Sequence, residues 1–137
     1  MKHIYRLFIA LLIIAGLISA CAPKPPTVDK IEPFRLEPID GSDFQRVILT
    51  EKAAERLDIQ TVVSDGNVIP YAAVLYGLNG ETWTYTNPEP LVFVRQPIVI
   101  DHIEGDRAFL SEGLDTGTAV VIIGAAELYG AEVGVKK

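Results

Sequence analysis

The chain has 137 residues, 18 acidic against 12 basic side chains, a formal net charge of −6 and one cysteine. That balance argues against nucleic acid, whose phosphates call for a basic patch, and against polybasic attachment to anionic lipid. A single cysteine allows no internal disulfide, so the fold must rest on its core.

The chain opens on Met1-Lys2-His3-Ile4-Tyr5-Arg6, continues through an apolar run from Leu7 to Leu17, and reaches Ile18-Ser19-Ala20-Cys21. A positive start, an apolar middle and small residues before a cut are the layout of a secretory signal peptide. The run from Leu7 to Ala20 is 14 residues. It falls short of the roughly 17–25 that a membrane-spanning helix needs. Residues 1–20 are therefore expected to be removed between Ala20 and Cys21, which takes away Lys2 and Arg6 and moves the charge to −8. Ile18-Ser19-Ala20-Cys21 resembles the lipobox of bacterial lipoproteins. The resemblance implies that Cys21 carries a diacylglyceryl group and, with palmitate-type acylation, anchors the chain outside the cytoplasm on a bacterial membrane. Two or more chains hold a protein stably where one does not.

Residues 21–45 hold five of the nine prolines and read as an extended linker. Arg46 to Leu49 reads as a strand. Thr50 is a suitable N-cap for a helix over Glu51–Leu57, with Ala53, Ala54 and Leu57 on one stripe. Ile59 to Val63 is a second strand and Ser64-Asp65-Gly66-Asn67 a turn. Val68 to Tyr76 reads as a strand, closed by the hairpin signal Asn79-Gly80. Glu81 to Thr86 alternates, with Trp83 and Tyr85 on one face and Thr82, Thr84 and Thr86 on the other. Asn87 to Pro90 turns the chain into a long strand, Leu91–Ile100. Pro97 inside it implies an edge or a bulge. Glu104-Gly105-Asp106 turns into Arg107–Leu110. Gly113–Gly117 turns into Ala119–Ile123, apolar throughout and so a central strand. Gly124–Tyr129 closes as a short helix. The pattern predicts a mainly β fold, a small β-barrel or β-roll with one or two short helices.

Five segments in this order resemble one family. Ile69-Pro70-Tyr71-Ala72-Ala73-Val74, Gly80–Tyr85, Arg95-Gln96-Pro97-Ile98-Val99-Ile100 and Gly113–Val121 followed by Gly124-Ala125 are similar to strands of the membrane-proximal domain of periplasmic adaptor proteins. These are the membrane fusion proteins of RND-type tripartite efflux systems. Leu49–Ile59 resembles the entry to the adaptor β-barrel. The resemblance spans about Arg46 to Val133. It implies residues 46–67 as a barrel-like remnant and 68–137 as a membrane-proximal-like domain. A full adaptor also has a lipoyl-like domain and usually a long helical hairpin, and the sequence departs from that pattern, with no heptad stretch for the hairpin.

No chemistry-bearing motif stands out. Ser42, Ser64 and Ser111 lie outside any Gly-x-Ser-x-Gly, and the glycines are spaced as turns rather than as a phosphate loop. His102, Glu104 and Asp106 would share one strand face and are weak metal candidates. No cofactor is implied. The expected role is therefore non-catalytic: an adaptor-like accessory subunit of an efflux transporter, with a permease or second adaptor subunit as partner. Tyr76, Asn79, Trp83 and Asp101 are the candidate contacts. The alternatives are a small-molecule or metal-binding envelope lipoprotein, or a structural lipoprotein without a transport role. Cys21→Ser is expected to abolish metabolic labelling with palmitate and to release the chain from the membrane fraction, checked by fractionation.

Overall fold

Apolar residues recur at every second position along several short segments, and Gly, Pro and Asn punctuate them. This is the pattern of half-buried antiparallel strands. A computed structural model describes residues 32–134 as ten strands, two helices and one 3-10 turn. Strands β1 (Phe34–Pro38), β2 (Gln45–Leu49), β3 (Gln60–Val63), β5 (Leu75–Tyr76), β6 (Thr82–Glu89), β7 (Val92–Pro97) and β10 (Ala119–Ile123) form one antiparallel sheet. Its order is β1-β2-β7-β6-β10-β3, with β5 also paired to β6. Strands β4 (Val68–Pro70), β9 (Arg107–Glu112) and β8 (Val99–Glu104) form a second sheet in the order β4-β9-β8. The fold is mainly β with two helices, as the turn spacing predicts. Among the described residues the sheets do not close into a barrel, because β1 and β3 stay at opposite edges of the larger sheet.

Helix α1 (Glu51–Arg56) starts where expected. The Thr50 hydroxyl accepts the Ala53 N–H at 3.2 Å, and Glu51 lies in the first turn, where the helix dipole favours an acid. Helix α2 (Ala125–Gly134) runs past the predicted end at Tyr129.

Several elements differ from expectation for physical reasons. Phe34–Pro38 lies within the proline-rich stretch read as linker, yet it forms β1, because Pro33 precedes the strand and Pro38 is its last residue, so neither interrupts it. The Pro33 carbonyl accepts from the Thr50 N–H at 3.0 Å, tying the entry of β1 to the start of α1. Residues 68–76 do not run as one strand. A 3-10 turn over Tyr71–Ala73 separates β4 from β5 and sends the chain from one sheet to the other. Pro97 ends β7 and lies neither on an edge strand nor in a bulge of that pairing. β2 pairs only Val92–Val94, so at Pro97 the outer side of β7 has no partner and the missing N–H costs nothing. The signal and lipidation residues, Ala20 and Cys21, lie outside the described residues.

Two cores flank the larger sheet. Val47, Leu49, Tyr85, Phe93 and Val121 pack with Ala53 of α1 and Ala125 and Leu128 of α2. Ile69, Ala108, Leu110, Leu114 and Val120 fill the other, with Ile98 and Ala73. Val120 and Val121 are adjacent, so their side chains point to opposite faces and β10 serves both cores. That explains a strand apolar throughout. Residues from 46–67 and from 68–137 share the first core, and β2 and β3 are hydrogen-bonded to β7 and β10. Strands from both sides of the boundary expected near residue 67 therefore share the larger sheet.

A buried polar cluster fixes α2 to the sheet. Glu132 faces inward with a side chain only 3% exposed. Its carboxylate accepts the Tyr85 hydroxyl at 2.5 Å and the Arg95 Nη2 at 3.1 Å. Tyr85 and Arg95 are cross-strand partners on β6 and β7. The Arg95 guanidinium lies 4.6 Å from the ring centre of Phe44, 4.8 Å from Trp83 and 5.4 Å from Tyr129. These separations fall within cation–π range.

Burial, and then the Glu132 hydrogen bond, push the Tyr85 phenol well above its ordinary pKa of 10. The unfolded chain ionises this tyrosine near pH ~10, while the folded chain keeps the proton. The stabilisation is complete below that pH. It is lost as pH rises above it, by up to about 1.4 kcal/mol per unit. Tyr85→Phe should flatten this alkaline decline, which urea unfolding midpoints measured on either side of pH ~10 will show.

Candidate functional site

The hairpin between β5 and β6 projects a rim of apolar side chains. Gly77 and Gly80 shape its turn: the Gly77 N–H donates to the Glu81 carbonyl at 2.8 Å, and Gly80 takes φ +83°. Between them Leu78 is fully exposed. Tyr76 is 54% exposed and meets the Tyr71 ring edge to face, with centres 6.4 Å apart. Val99, at the start of β8, is exposed to the same degree as Tyr76.

The rim sits where the chain crosses between sheets. The Thr82 carbonyl accepts the Ile98 N–H at 3.0 Å, and the Thr82 hydroxyl donates to the Ile98 carbonyl at 2.6 Å. This two-way bond holds the start of β6 against the β7–β8 crossing. A shallow cleft of about 550 Å³ opens beside it, lined by Tyr76, Glu81, Thr82, Pro97 and Val99 among others.

The predicted contacts separate on this geometry. Tyr76 and Asn79 lie on the rim and are exposed. Trp83 is 7% exposed, with its ring packed against Tyr129 at 5.5 Å between centres, and so belongs to the interior. Asp101 lies on β8 in the other sheet. Tyr71, Leu78 and Val99 complete the rim: the 3-10 turn at Tyr71–Ala73 leaves Tyr71 exposed, and the β7–β8 crossing presents Val99.

The metal candidates do not converge. β8 ends at Glu104 and Gly105 turns the chain at φ +61°, so Asp106 leaves the strand face that His102 and Glu104 were to share with it. The His102 ring stacks on Phe109, with centres 4.4 Å apart, and its Nδ1 lies 2.7 Å from Asp101 Oδ2. Among the described residues no three of His, Cys, Asp and Glu gather as a metal site. The serine hydroxyls are held locally. Ser64 Oγ accepts from the Gly66 N–H, and Ser111 Oγ donates to the Val99 carbonyl.

A second, more apolar cleft lies between β1, α1 and α2, lined by Phe34, Leu49, Ala53, Leu57, Leu128 and Ala131 among others. No helix among the described residues is long and apolar enough to cross a membrane. These features define a small mainly β domain with an exposed apolar rim and a separate apolar cleft. No protein-family model, curated protein or solved structure matches the chain.

Gly77 is required at the base of the rim, since a Cβ there would lie 2.6 Å from the Trp83 ring. Gly77→Ala should cost about 1–3 kcal/mol, the usual range for overpacking. Trp83 is the only tryptophan, so a fluorescence-monitored denaturant titration reads the ring displacement and the lost stability together.

Proposed function

We infer that the chain is a non-catalytic, lipid-anchored envelope protein whose β domain docks on a membrane transporter, in the manner of an accessory adaptor subunit of an efflux system. One observation carries the docking half of this reading: the exposed apolar rim of Tyr71, Tyr76, Leu78 and Val99 is held in place by the Thr82–Ile98 bonds. Apolar side chains presented together on a rigid turn favour a protein contact, whereas scattered ones carry no such meaning. The transporter half is supported by the order of adaptor-like segments from Leu49 to Ala125. The membrane half is supported by the lipobox-like approach to Cys21.

Leu78 packs against nothing in the fold, so Leu78→Glu should leave stability within about 0.5 kcal/mol. Combined with Tyr76→Glu, it should lower recovery of a crosslinked envelope transporter or adaptor component by about tenfold or more. Crosslinking in intact cells, followed by mass spectrometry of the captured proteins, makes the measurement. Recovery unaffected by the double substitution, or capture of no transport component, overturns the reading.

A further inference from the structure

The cleft between β1, α1 and α2 has the make-up of a small-ligand site distinct from the docking rim. Its volume is about 530 Å³, inside the roughly 300–1,000 Å³ span of small-molecule pockets. Its lining is sharply divided by chemistry. Phe34, Leu49, Ala53, Leu57, Leu128 and Ala131 supply the apolar walls. Among the described residues, Arg56 and Glu127 are the only polar side chains that line it, and both are exposed. Neither is in an ion pair among the described residues. The space is open because α2 presents Gly130 and Gly134 to it, and a Cβ at Gly130 would meet nothing within 4 Å.

These walls select their occupant. They offer no side chain to bond a polar group inside the cleft, so the buried part of a ligand must be purely apolar. The mouth carries one cation and one anion. A fatty acid would meet Arg56 but face Glu127 with like charge, and an alkylammonium would reverse the mismatch. A headgroup with both charges satisfies both residues. Arg56 suits a phosphate, which guanidinium groups grip through paired hydrogen bonds, and Glu127 suits an ammonium. We propose that this cleft binds a single-chain zwitterionic amphiphile of the lysophospholipid type, its tail against Leu57 and Ala131 and its headgroup between Arg56 and Glu127.

The test uses the full chain in envelope membranes and a lysophosphatidylcholine carrying a diazirine at the end of its tail, kept below its micellar concentration. Photolabel is expected on peptides containing Phe34, Leu57 and Ala131. Dodecylphosphocholine should displace it better than dodecanoate or dodecyltrimethylammonium. Within an alkylphosphocholine series, affinity should rise about fourfold per added methylene until the cleft is full. Arg56→Gln and Glu127→Gln should each weaken displacement several-fold. Gly130→Leu should abolish labelling while the thermal midpoint holds or rises, since leucine is the better helix former and the space for it exists. Label that persists in Gly130→Leu, or that spreads evenly over exposed apolar residues, overturns the site. Equal displacement by all three headgroups overturns the headgroup assignment. Leu78→Glu should leave labelling unchanged, so this proposal and the docking rim fail separately.

Discussion

Everything on the helical side of the larger sheet depends on one carboxylate. Helix α2 is rich in alanine and glycine, and such a helix has little stability of its own at this length. It is held by three buried residues, Ala125 and Leu128 in the core and, one turn past Leu128, Glu132 in the polar cluster. Leu128 brings apolar area and any apolar residue of similar shape would do the same. Glu132 brings direction. Its two oxygens bind a phenol on one strand and a guanidinium on the next, so α2 can sit in only one register above β6 and β7. A buried ion pair of this kind is a weak source of net stability but a costly one to break. Three aromatic rings around Arg95 reduce that burial cost by replacing water with favourable π-faces.

The two surface features are by-products of the same framework. The rim stands out because Gly77 lets the hairpin close tightly over the Trp83 ring, and Trp83 is in turn part of the cage around Arg95. The cleft exists because α2 is fixed at a set height above α1 and β1 while offering glycine where a larger residue would fill the gap. A helix held only by apolar contacts would slide to close such a space. Polar locking therefore keeps an apolar cavity open.

Much of the fold was legible because its turns are chemically explicit. Asn79-Gly80 and Gly105-Asp106 mark hairpins, and Thr50 marks the start of α1. The uninterrupted apolar run Ala119–Ile123 announced a strand buried on both sides. The missed elements share a cause. β1 was hidden by the prolines at its two ends, and the extent of α2 was hidden because an inward glutamate looks like a solvent residue until its partners, 37 and 47 positions away, are known. Trp83 failed as a surface candidate for the same reason: its environment is made by Arg95 and Tyr129, which no local pattern brings to it. The rim was half legible, since Tyr76, Leu78 and Asn79 belong to a recognisable hairpin, whereas Val99 joins them only through the sheet crossing at Ile98. The cleft left no trace in the sequence, because its walls come from three separated segments.

The placement of Val120 and Val121 has a consequence for how this domain comes apart. Consecutive residues of one strand seal two different cores, so neither layer can loosen without withdrawing support from the other. β10 therefore couples the helical layer and the three-stranded sheet into a single cooperative unit. The slowest amide exchange should belong to this strand, and partial opening should begin at the hairpin tips, where the backbone serves neither side.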